Sequence, residues 1–389
     1  MLKRLLFPET LSLIETLGEH NVRFVGGCVR DLLADLPIND IDFATVLTPE
    51  QVILACKMNN IHVVPTGIAH GTVTAMVRGW QFQITTLRRD ISTNGRQAQV
   101  EFVDDWEADA MRRDLTINAF YLAADGTLTD FFGGLDHLRS GKIAFIGNPE
   151  ERIHEDYLRI LRYFRFFGKF GQGEPDTEIM RVCTRNALKI NNLSGERIQA
   201  EMFKILMLKN AAETLEIMQN AGVLPFIFPG DIETKTLFNL QGLEEHPNPL
   251  RRLAAIEGYE VGALIQHWHM SKEHAAILKM LKEPIDTSDP KVIMRRVGKE
   301  RFRDIAYIEA ARGTLSASLA DVLDFADTWQ IPRFPIYGND VISMGVTEGK
   351  KIGQVLAELE RYWERHGYFL TRDELMKRMK HIIDEVNTR

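Results

Sequence analysis

Two aspartates, Asp40 and Asp42, stand on either side of Ile41. Because alternate residues of a strand point to the same face, a strand over 41–45 would place the two carboxylates side by side. Adjacent carboxylates repel each other unless a cation lies between them, and magnesium prefers carboxylate oxygens together with substrate phosphates. The pair therefore predicts a magnesium site, and a polar edge strand or a capping aspartate is the alternative for an isolated Asp-x-Asp.

A glycine turn precedes the acidic pair. A short β-branched segment, 22–25, runs into Gly26 and Gly27, and Arg30 follows in the helix predicted to begin there. Glycine allows a phosphate to approach the backbone N–H groups of such a turn, and an arginine adds a charged fork. Two glycines alone are typical of a plain loop. Next to the acidic pair, they favour a metal–nucleotide site.

A further pair of residues has the chemistry to read a nucleotide base. Asp156 and Arg159 are three apart in a segment predicted to be helical, so both would lie on one face. Aspartate accepts and arginine donates hydrogen bonds. That pattern matches the amine and ring nitrogen of cytosine and adenine and opposes the groups of guanine and uracil. Arg162 and Arg165 extend the same basic stripe. A surface ion pair between Asp156 and Arg159 is the alternative.

The elements that must position these residues change in character along the chain. The first third carries strand patterns at 22–25, 41–45, 72–77, 82–87 and 127–132, a helix from Asp104 or Asp105 to about Tyr121, and a polar loop over 88–99 that we expect to be mobile. Helical periodicity dominates after residue 138. These patterns predict an α/β head with a small mixed sheet and helices (1–137), followed by an all-helical neck (138–225), body (226–325) and tail (326–389).

Composition sets the broad class. The 389 residues are 45% hydrophobic and 26% charged, which is typical of a globular protein of several domains. The net charge of −7 counts mildly against nucleic-acid binding but does not exclude it, because phosphates respond to local basic clusters. No apolar run is long enough to span a membrane. Three widely spaced cysteines fit no metal spacing and predict reduced thiols in a cytoplasmic protein.

Five motifs resemble, in order, those of the class II nucleotidyltransferases of the DNA polymerase β superfamily. That family comprises the bacterial and eukaryotic CCA-adding enzymes and the bacterial poly(A) polymerases. The first motif is the glycine turn at 26–31 with the acidic pair. The others are RRDLTINA at 112–119, DFFGG at 130–134, EDYLR at 155–159 and SGERI at 194–198. Beyond about residue 225 the resemblance is general.

The resemblance implies an enzyme that adds C, C and A to the 3′ end of tRNA from CTP and ATP. Attack by the RNA 3′-hydroxyl on the α-phosphate would release pyrophosphate. It implies catalytic, magnesium-binding roles for Asp40 and Asp42. Nucleotide binding falls to Gly26, Gly27, Arg30, Arg113, Asp114, Asn118, Asp156, Arg159 and Arg162. The loop at 88–99 resembles the flexible element that CCA-adding members need to switch from C to A, and the body and tail would grip the acceptor arm.

The sequence also departs from the family. Gln83 stands where many relatives carry a glutamate, and a neutral amide is a poor metal ligand, so the role of a third acid is left unassigned. The histidines between 246 and 274 lack the His-Asp step of a phosphohydrolase domain. The tail is mixed in charge, whereas bacterial poly(A) polymerases tend to end in a long basic segment. A poly(A) polymerase, a CC-only or A-only enzyme, and more distantly an inactive RNA-binding helical protein are the alternatives.

Overall fold

The structure is a computed structural model that describes residues 2–94, 97–283 and 289–388. The chain divides into two compact units. The first comprises Met1–Gln241 with His246–Ala275, and the second comprises Gly242–Glu245 with Ala276–Arg389. The four-part division predicted from the sequence, with boundaries at 137, 225 and 325, stays a prediction.

The described residues of the first unit form nine strands. They are β1 (Val22–Val25), β2 (Asp42–Thr45), β3 (His62–Gly67), β4 (Thr72–Val77), β5 (Trp80–Thr86), β6 (Arg88–Asn94), β7 (Gln97–Phe102), β8 (Tyr121–Leu122) and β9 (Leu128–Thr129). Seven of them make one sheet in the order β3-β4-β5-β2-β1-β8-β9, and β6 pairs with β7 separately. Only the β2–β5 pair of the seven-stranded sheet is parallel. The predicted mixed sheet is therefore confirmed.

Buried aromatic rings form the core of the sheet. Phe24 of β1 pairs with Phe43 of β2, and their ring centroids are 4.7 Å apart. Phe82 of β5 lies 5.9 Å from Phe43, and all three side chains are buried. The sheet is accompanied by α1 (Pro8–Leu17), α2 (Gly27–Leu33), α3 (Pro49–Met58), α4 (Trp106–Met111) and α5 (Gly134–Ser140).

Helices make up the rest of the chain. The first unit continues with α6 (Pro149–Glu155), α7 (Leu158–Phe170), α8 (Thr177–Asn186), α9 (Gly195–Leu206), α10 (Ala211–Asn220), α11 (Lys235–Gln241), α12 (Pro249–Ala255) and α13 (Val261–His267). After α14 (Lys272–Lys282), the second unit holds α15 (Pro290–Val297), α16 (Lys299–Arg312), α17 (Leu319–Thr328), α18 (Gly338–Ser343), α19 (Gly349–Arg365) and α20 (Arg372–Thr388). None of the helices in the described parts is long and apolar enough to cross a membrane.

Two predictions about the head are wrong, and one strand was missed. Residues assigned to a polar loop at 88–99 form the antiparallel β6–β7 hairpin, with Gly95 and Arg96 outside the described residues. The residues at 88–99 show no hydrophobic alternation, so their backbone pairing was not predicted. Strand β3 escaped prediction since it is a mostly exposed edge strand interrupted by Pro65.

The second wrong prediction concerns the helix after Asp105. Asp105 caps α4 as expected, but the helix ends at Met111 instead of continuing to Tyr121. A 3₁₀ turn at Thr116–Asn118 and strand β8 follow. The side chains of this segment bind tertiary partners, described below, and those contacts override local helix propensity.

Candidate nucleotide-binding site

A single cavity of about 690 Å³ contains all but one of the residues predicted to act in the site. It is lined by Gly26, Gly27, Arg30, Asp42, Arg113, Asp114, Asn118, Asp156, Arg159 and Arg162. Four further arginines line it, namely Arg88, Arg112, Arg165 and Arg197. The wall is thus strongly basic although the chain carries a net charge of −7, and such a wall suits a polyanionic ligand.

The acidic pair lies at the start of β2. Asp42 is the first residue of the strand and is half-buried in the cavity wall, whereas Asp40 precedes the strand and is exposed. Burial, together with the nearby charge of Asp40, raises the pKa of Asp42, and Arg113 opposes that rise. Because the two carboxylates disfavour each other's negative charge, a divalent cation bound between them would stabilise both.

Gln83 occupies the position next to Asp42. It is the residue that pairs with Asp42 in the parallel β2–β5 ladder, and it also lines the cavity. Groups of three or more His, Cys, Asp or Glu that could hold a metal do not occur in the described residues. The acidic pair therefore has a neutral amide beside it where a third carboxylate would stand.

The glycine turn connects β1 to α2. Gly26 has φ +70°, a conformation that favours glycine, and a Cβ there would lie 3.5 Å from Nη1 of Arg113. The N–H of Gly26 donates to the carbonyl of Phe120 at 3.1 Å, so this group is already used within the protein. At Gly26 the turn therefore leaves space beside Arg113, and it does not offer a free N–H group.

Arg30 connects three segments of the site. It donates to Asp31 Oδ1 from Nε at 3.0 Å and from Nη2 at 2.9 Å, and to Asn118 Oδ1 from Nη1 at 2.5 Å. Its guanidinium also lies 5.0 Å from the ring centroids of Phe166 and Phe170 in α7. The side chain is therefore held in one orientation at the cavity wall.

Asp114 is a buried acceptor within the second motif. It accepts from Arg162 at 2.6 Å and from Asn118 Nδ2 at 3.1 Å. Burial would raise the pKa of Asp114, but Arg162 and Asn118 lower it to about 2. Asp114 is thus a charged anchor that holds Arg162 of α7 against the second motif.

This depressed pKa predicts a pH dependence of stability. A carboxylate whose folded pKa lies below its unfolded value stabilises the fold above that unfolded value, and the contribution is lost as the pH falls from about 4 to about 2. We expect Asp114→Asn to lower the free energy of unfolding at neutral pH by roughly 2 kcal/mol and to flatten this acid limb. Urea unfolding between pH 2 and 7 measures both effects. The exposed variant Asp35→Asn is the control, and an acid limb as steep in Asp114→Asn as in wild type would contradict the assignment.

The base-reading candidates occupy the junction between α6 and α7. Asp156 lies between the two helices, so the prediction that it is helical is wrong. Its Oδ2 accepts from Arg197 at 2.6 Å and its Oδ1 from the N–H of Leu158 at 3.1 Å. Arg159, in the first turn of α7, donates to the carbonyl of Arg152 at 2.8 Å and pairs with Glu155. The two side chains therefore line the cavity with separate partners instead of pairing with each other.

Two buried residues that contact the residues of the site were missed in the sequence. Arg152 of α6 donates from Nη2 to the carbonyls of Arg112 and Arg113, both at 2.6 Å, and from Nη1 to Glu155. Asp109 of α4 binds the guanidinium groups of Arg112 and Arg113. The spacing of Asp109 to these arginines, three and four residues, was the available signal for that pair. The contact of Arg152 with backbone carbonyls about 40 residues away left no such signal.

Comparison with known proteins agrees with the geometry. Residues 22–144 match a family model described as the poly A polymerase head domain, and residues 174–231 match one described as a probable RNA and SrmB-binding site of polymerase A. The mitochondrial CCA tRNA nucleotidyltransferase 1 of Mus musculus is 35% identical over 96% of this chain and 91% of its own. The CCA-adding enzyme of Ligilactobacillus salivarius is 30% identical over 97% of both chains. The crystal structure of the Bacillus stearothermophilus CCA-adding enzyme in complex with CTP superposes with a TM-score of 0.80, at 25% identity, over 97% of this chain and 98% of that one.

The fold, the cavity and these similarities define a nucleotidyltransferase. Within that class, the chain belongs to the family of CCA-adding tRNA nucleotidyltransferases and poly(A) polymerases, as the order of the five motifs indicated.

Proposed function

We propose that this protein adds C, C and A to the 3′ end of tRNA from CTP and ATP without a nucleic-acid template. The observation that carries this proposal is one arginine-lined cavity whose lining includes Asp42 together with Asp156 and Arg159. A nucleoside triphosphate has its charge at one end and its base at the other, and the cavity offers matching groups for both. Relatives that carry this activity in their names align over nearly the whole chain.

Magnesium is the proposed metal. Members of this family generally use divalent metal ions, and the Asp40–Asp42 pair would hold them here. When bound, the ions would activate the RNA 3′-hydroxyl and stabilise the leaving pyrophosphate. The proposal is that two magnesium ions bind to Asp40 and Asp42.

The chain's own residues would orient the nucleotide. Arg113, directed at the glycine turn, and Arg30 supply positive charge for the triphosphate. Asp156 would accept from the exocyclic amine of cytosine or adenine, and Arg159 would donate to the ring nitrogen. Guanine and uracil would place opposed groups against this pair, and each buried mismatch costs about 1–3 kcal/mol.

The decisive assay uses purified protein, tRNA lacking its 3′ end, CTP and ATP, with sequencing of the product. We expect CCA on most molecules. A product ending in CC would identify a CC-only enzyme. Addition of a single A to tRNA that already ends in CC would identify an A-only enzyme, and a run of A would identify a poly(A) polymerase. No incorporation of labelled CTP in the presence of magnesium would leave the inactive RNA-binding alternative.

The β6–β7 hairpin predicts a separable effect on the last nucleotide. Its base is fixed because the N–H of Arg88 donates to Asp109 at 3.2 Å, and Arg88 lines the cavity. Deleting residues 93–98 keeps the pairs of 88, 89 and 90 with 102, 101 and 100. We expect this deletion to leave C addition largely intact and to reduce A addition at least about tenfold, because the hairpin would act in the switch between nucleotides.

Separate rates of C and A addition on the matching tRNA acceptors measure this effect. The control replaces 93–98 by a glycine–serine segment of equal length, which separates loss of length from loss of side chains. Equal loss of C and A addition in the deletion variant would indicate that the hairpin is structural.

The tail, residues 326–389, is the proposed tRNA-binding region. Lys350, Lys351 and Arg361 of α19 line a cleft of about 490 Å³, and such basic side chains suit the phosphate backbone. We also propose a cytoplasmic location, which rests on three free, buried cysteines. The Mus musculus relative is named as a mitochondrial protein, so fractionation of the native host is the relevant test.

A further inference from the structure

Asp109 is a buried carboxylate that the proposed chemistry does not use. Its side chain is 1% exposed and does not line the cavity, so it is out of reach of a bound nucleotide. Each of its oxygens nevertheless binds at least one residue that does line the cavity, namely Arg88, Arg112 or Arg113. A buried charge persists only where its partners compensate for the loss of water, so the partners of Asp109 determine what it does.

The two oxygens of Asp109 bind two different arginines. Oδ1 accepts from Arg112 Nε at 2.9 Å and Nη2 at 2.7 Å, and from the N–H of Arg88 at 3.2 Å. Oδ2 accepts from Arg113 Nη2 at 3.0 Å and from the hydroxyl of Tyr121 at 2.6 Å. Burial acts to raise the pKa of Asp109, but Arg113 and Arg112, with the Tyr121 hydrogen bond, lower it to about 2, so the group is a carboxylate at neutral pH.

Tyr121 completes the support of Arg113. Its hydroxyl accepts from Arg113 Nε at 3.2 Å while donating to Asp109. Arg113 is thus held on one edge by two acceptors, and its remaining terminal nitrogen, Nη1, lies on the side of Gly26. The same arginine acts on the charge of Asp42. The orientation of Arg113 therefore determines the position of its positive charge relative to the glycine turn and the acidic pair.

We propose that Asp109 is a positioning residue, which directs the guanidinium of Arg113 at the triphosphate and fixes Arg112 and the first residue of the β6–β7 hairpin with its other oxygen. This inference rests on the proposed function. Asp109 acts through Arg113, and Tyr121 supports the same contact. Arg113 contacts the triphosphate before and during the reaction, so its displacement weakens binding of the nucleotide more than it slows the chemical step.

Asp109→Asn tests the proposal because it keeps the shape of the side chain and removes its charge. We expect the KM for CTP and for ATP to rise by the same factor, about ten- to hundredfold, with kcat within about threefold of wild type. In the Arg113→Ala background, Asp109→Asn should change KM by about threefold or less, because the residue it acts through is absent. Steady-state kinetics with tRNA lacking its 3′ end give these values.

A merely structural role makes a different pattern. Loss of folded protein lowers kcat and leaves KM unchanged, and it does so equally in the Arg113→Ala background. The matched control is Asp304→Asn, which removes another buried carboxylate bound by an arginine, Arg301, in the second unit. We expect it to lower the melting temperature without changing the KM for CTP.

Tyr121→Phe keeps the proposal testable if Asp109→Asn fails to fold. It removes one acceptor of Arg113 without burying a charge. We expect a three- to tenfold rise in KM, which corresponds to the loss of roughly one neutral hydrogen bond. This rise should be absent when Tyr121→Phe is made in the Arg113→Ala background. A wild-type KM in Tyr121→Phe and in any folded Asp109→Asn protein would overturn the inference. Failure of the wild-type protein itself to incorporate CTP or ATP would instead overturn the proposed function.

Discussion

Asp40→Asn and Asp42→Asn should each abolish incorporation of both CTP and ATP, by at least about a thousandfold, while the protein stays folded. The reason is that each variant removes one of the two charges able to hold a divalent cation at the start of β2. Asparagine keeps the size of the side chain, so the packing of β2 against β5 is retained. Single-turnover incorporation with saturating magnesium measures the loss.

Asp35→Asn is the matched control for this prediction. Asp35 carries the same carboxylate on an exposed side chain that pairs with Arg4 at 3.0 Å, outside the cavity. We expect wild-type activity, because exposed pairs contribute little. If either Asp40→Asn or Asp42→Asn turned over at the wild-type rate, the metal assignment would be wrong and the acidic pair would be structural.

The second large effect concerns the choice of base. Asp156→Ala should relax discrimination against UTP and GTP about ten- to hundredfold, because the acceptor that opposes their carbonyls is removed. Arg159→Ala should instead reduce the use of CTP and ATP by a similar factor without admitting UTP, since Asp156 still faces its carbonyl. Incorporation of each of the four nucleotides, measured separately for both variants, gives the ratios.

The structure adds a further arm to this experiment. Arg197 holds Asp156 through a 2.6 Å contact, so Arg197→Ala should also weaken discrimination, less strongly than Asp156→Ala does. The control is Arg185→Ala, which breaks an exposed pair of the same type with Glu150. An unchanged ratio of UTP to CTP use in both Asp156→Ala and Arg159→Ala would discard base reading by this pair.

The sequence predicted the parts of the site that are local. A glycine turn after a strand and an Asp-x-Asp step are written within a few residues, and the structure places Gly26, Arg30 and Asp42 at one cavity. The mixed sheet followed by helices was likewise readable from the change of hydrophobic period along the chain. The motif order added Asp114 and Asn118, whose chemistry alone would not have singled them out.

What the sequence did not predict depends on contacts between distant segments. The end of α4 at Met111 follows from side chains that bind tertiary partners, such as Arg113 with Tyr121. Asp156 and Arg159 have the spacing of a helical pair, yet each binds a different partner because α6 ends between Glu155 and Asp156. The hairpin at 88–99 was missed since ladder hydrogen bonds between polar residues leave no periodic hydrophobic signal.

The contacts of Arg152 affect where this protein can be truncated. It lies in α6, beyond the last strand of the described sheet, yet its guanidinium donates hydrogen bonds to the carbonyls of Arg112 and Arg113. A polypeptide ending at residue 137 would retain every described strand of the sheet and lose those donors, so the carbonyls of Arg112 and Arg113 would lose these hydrogen bonds. The secondary structure changes from sheet to helix near that residue, but the contacts of Arg152 cross this point of the chain. We therefore expect the smallest nucleotide-binding fragment that folds by itself to extend through α6.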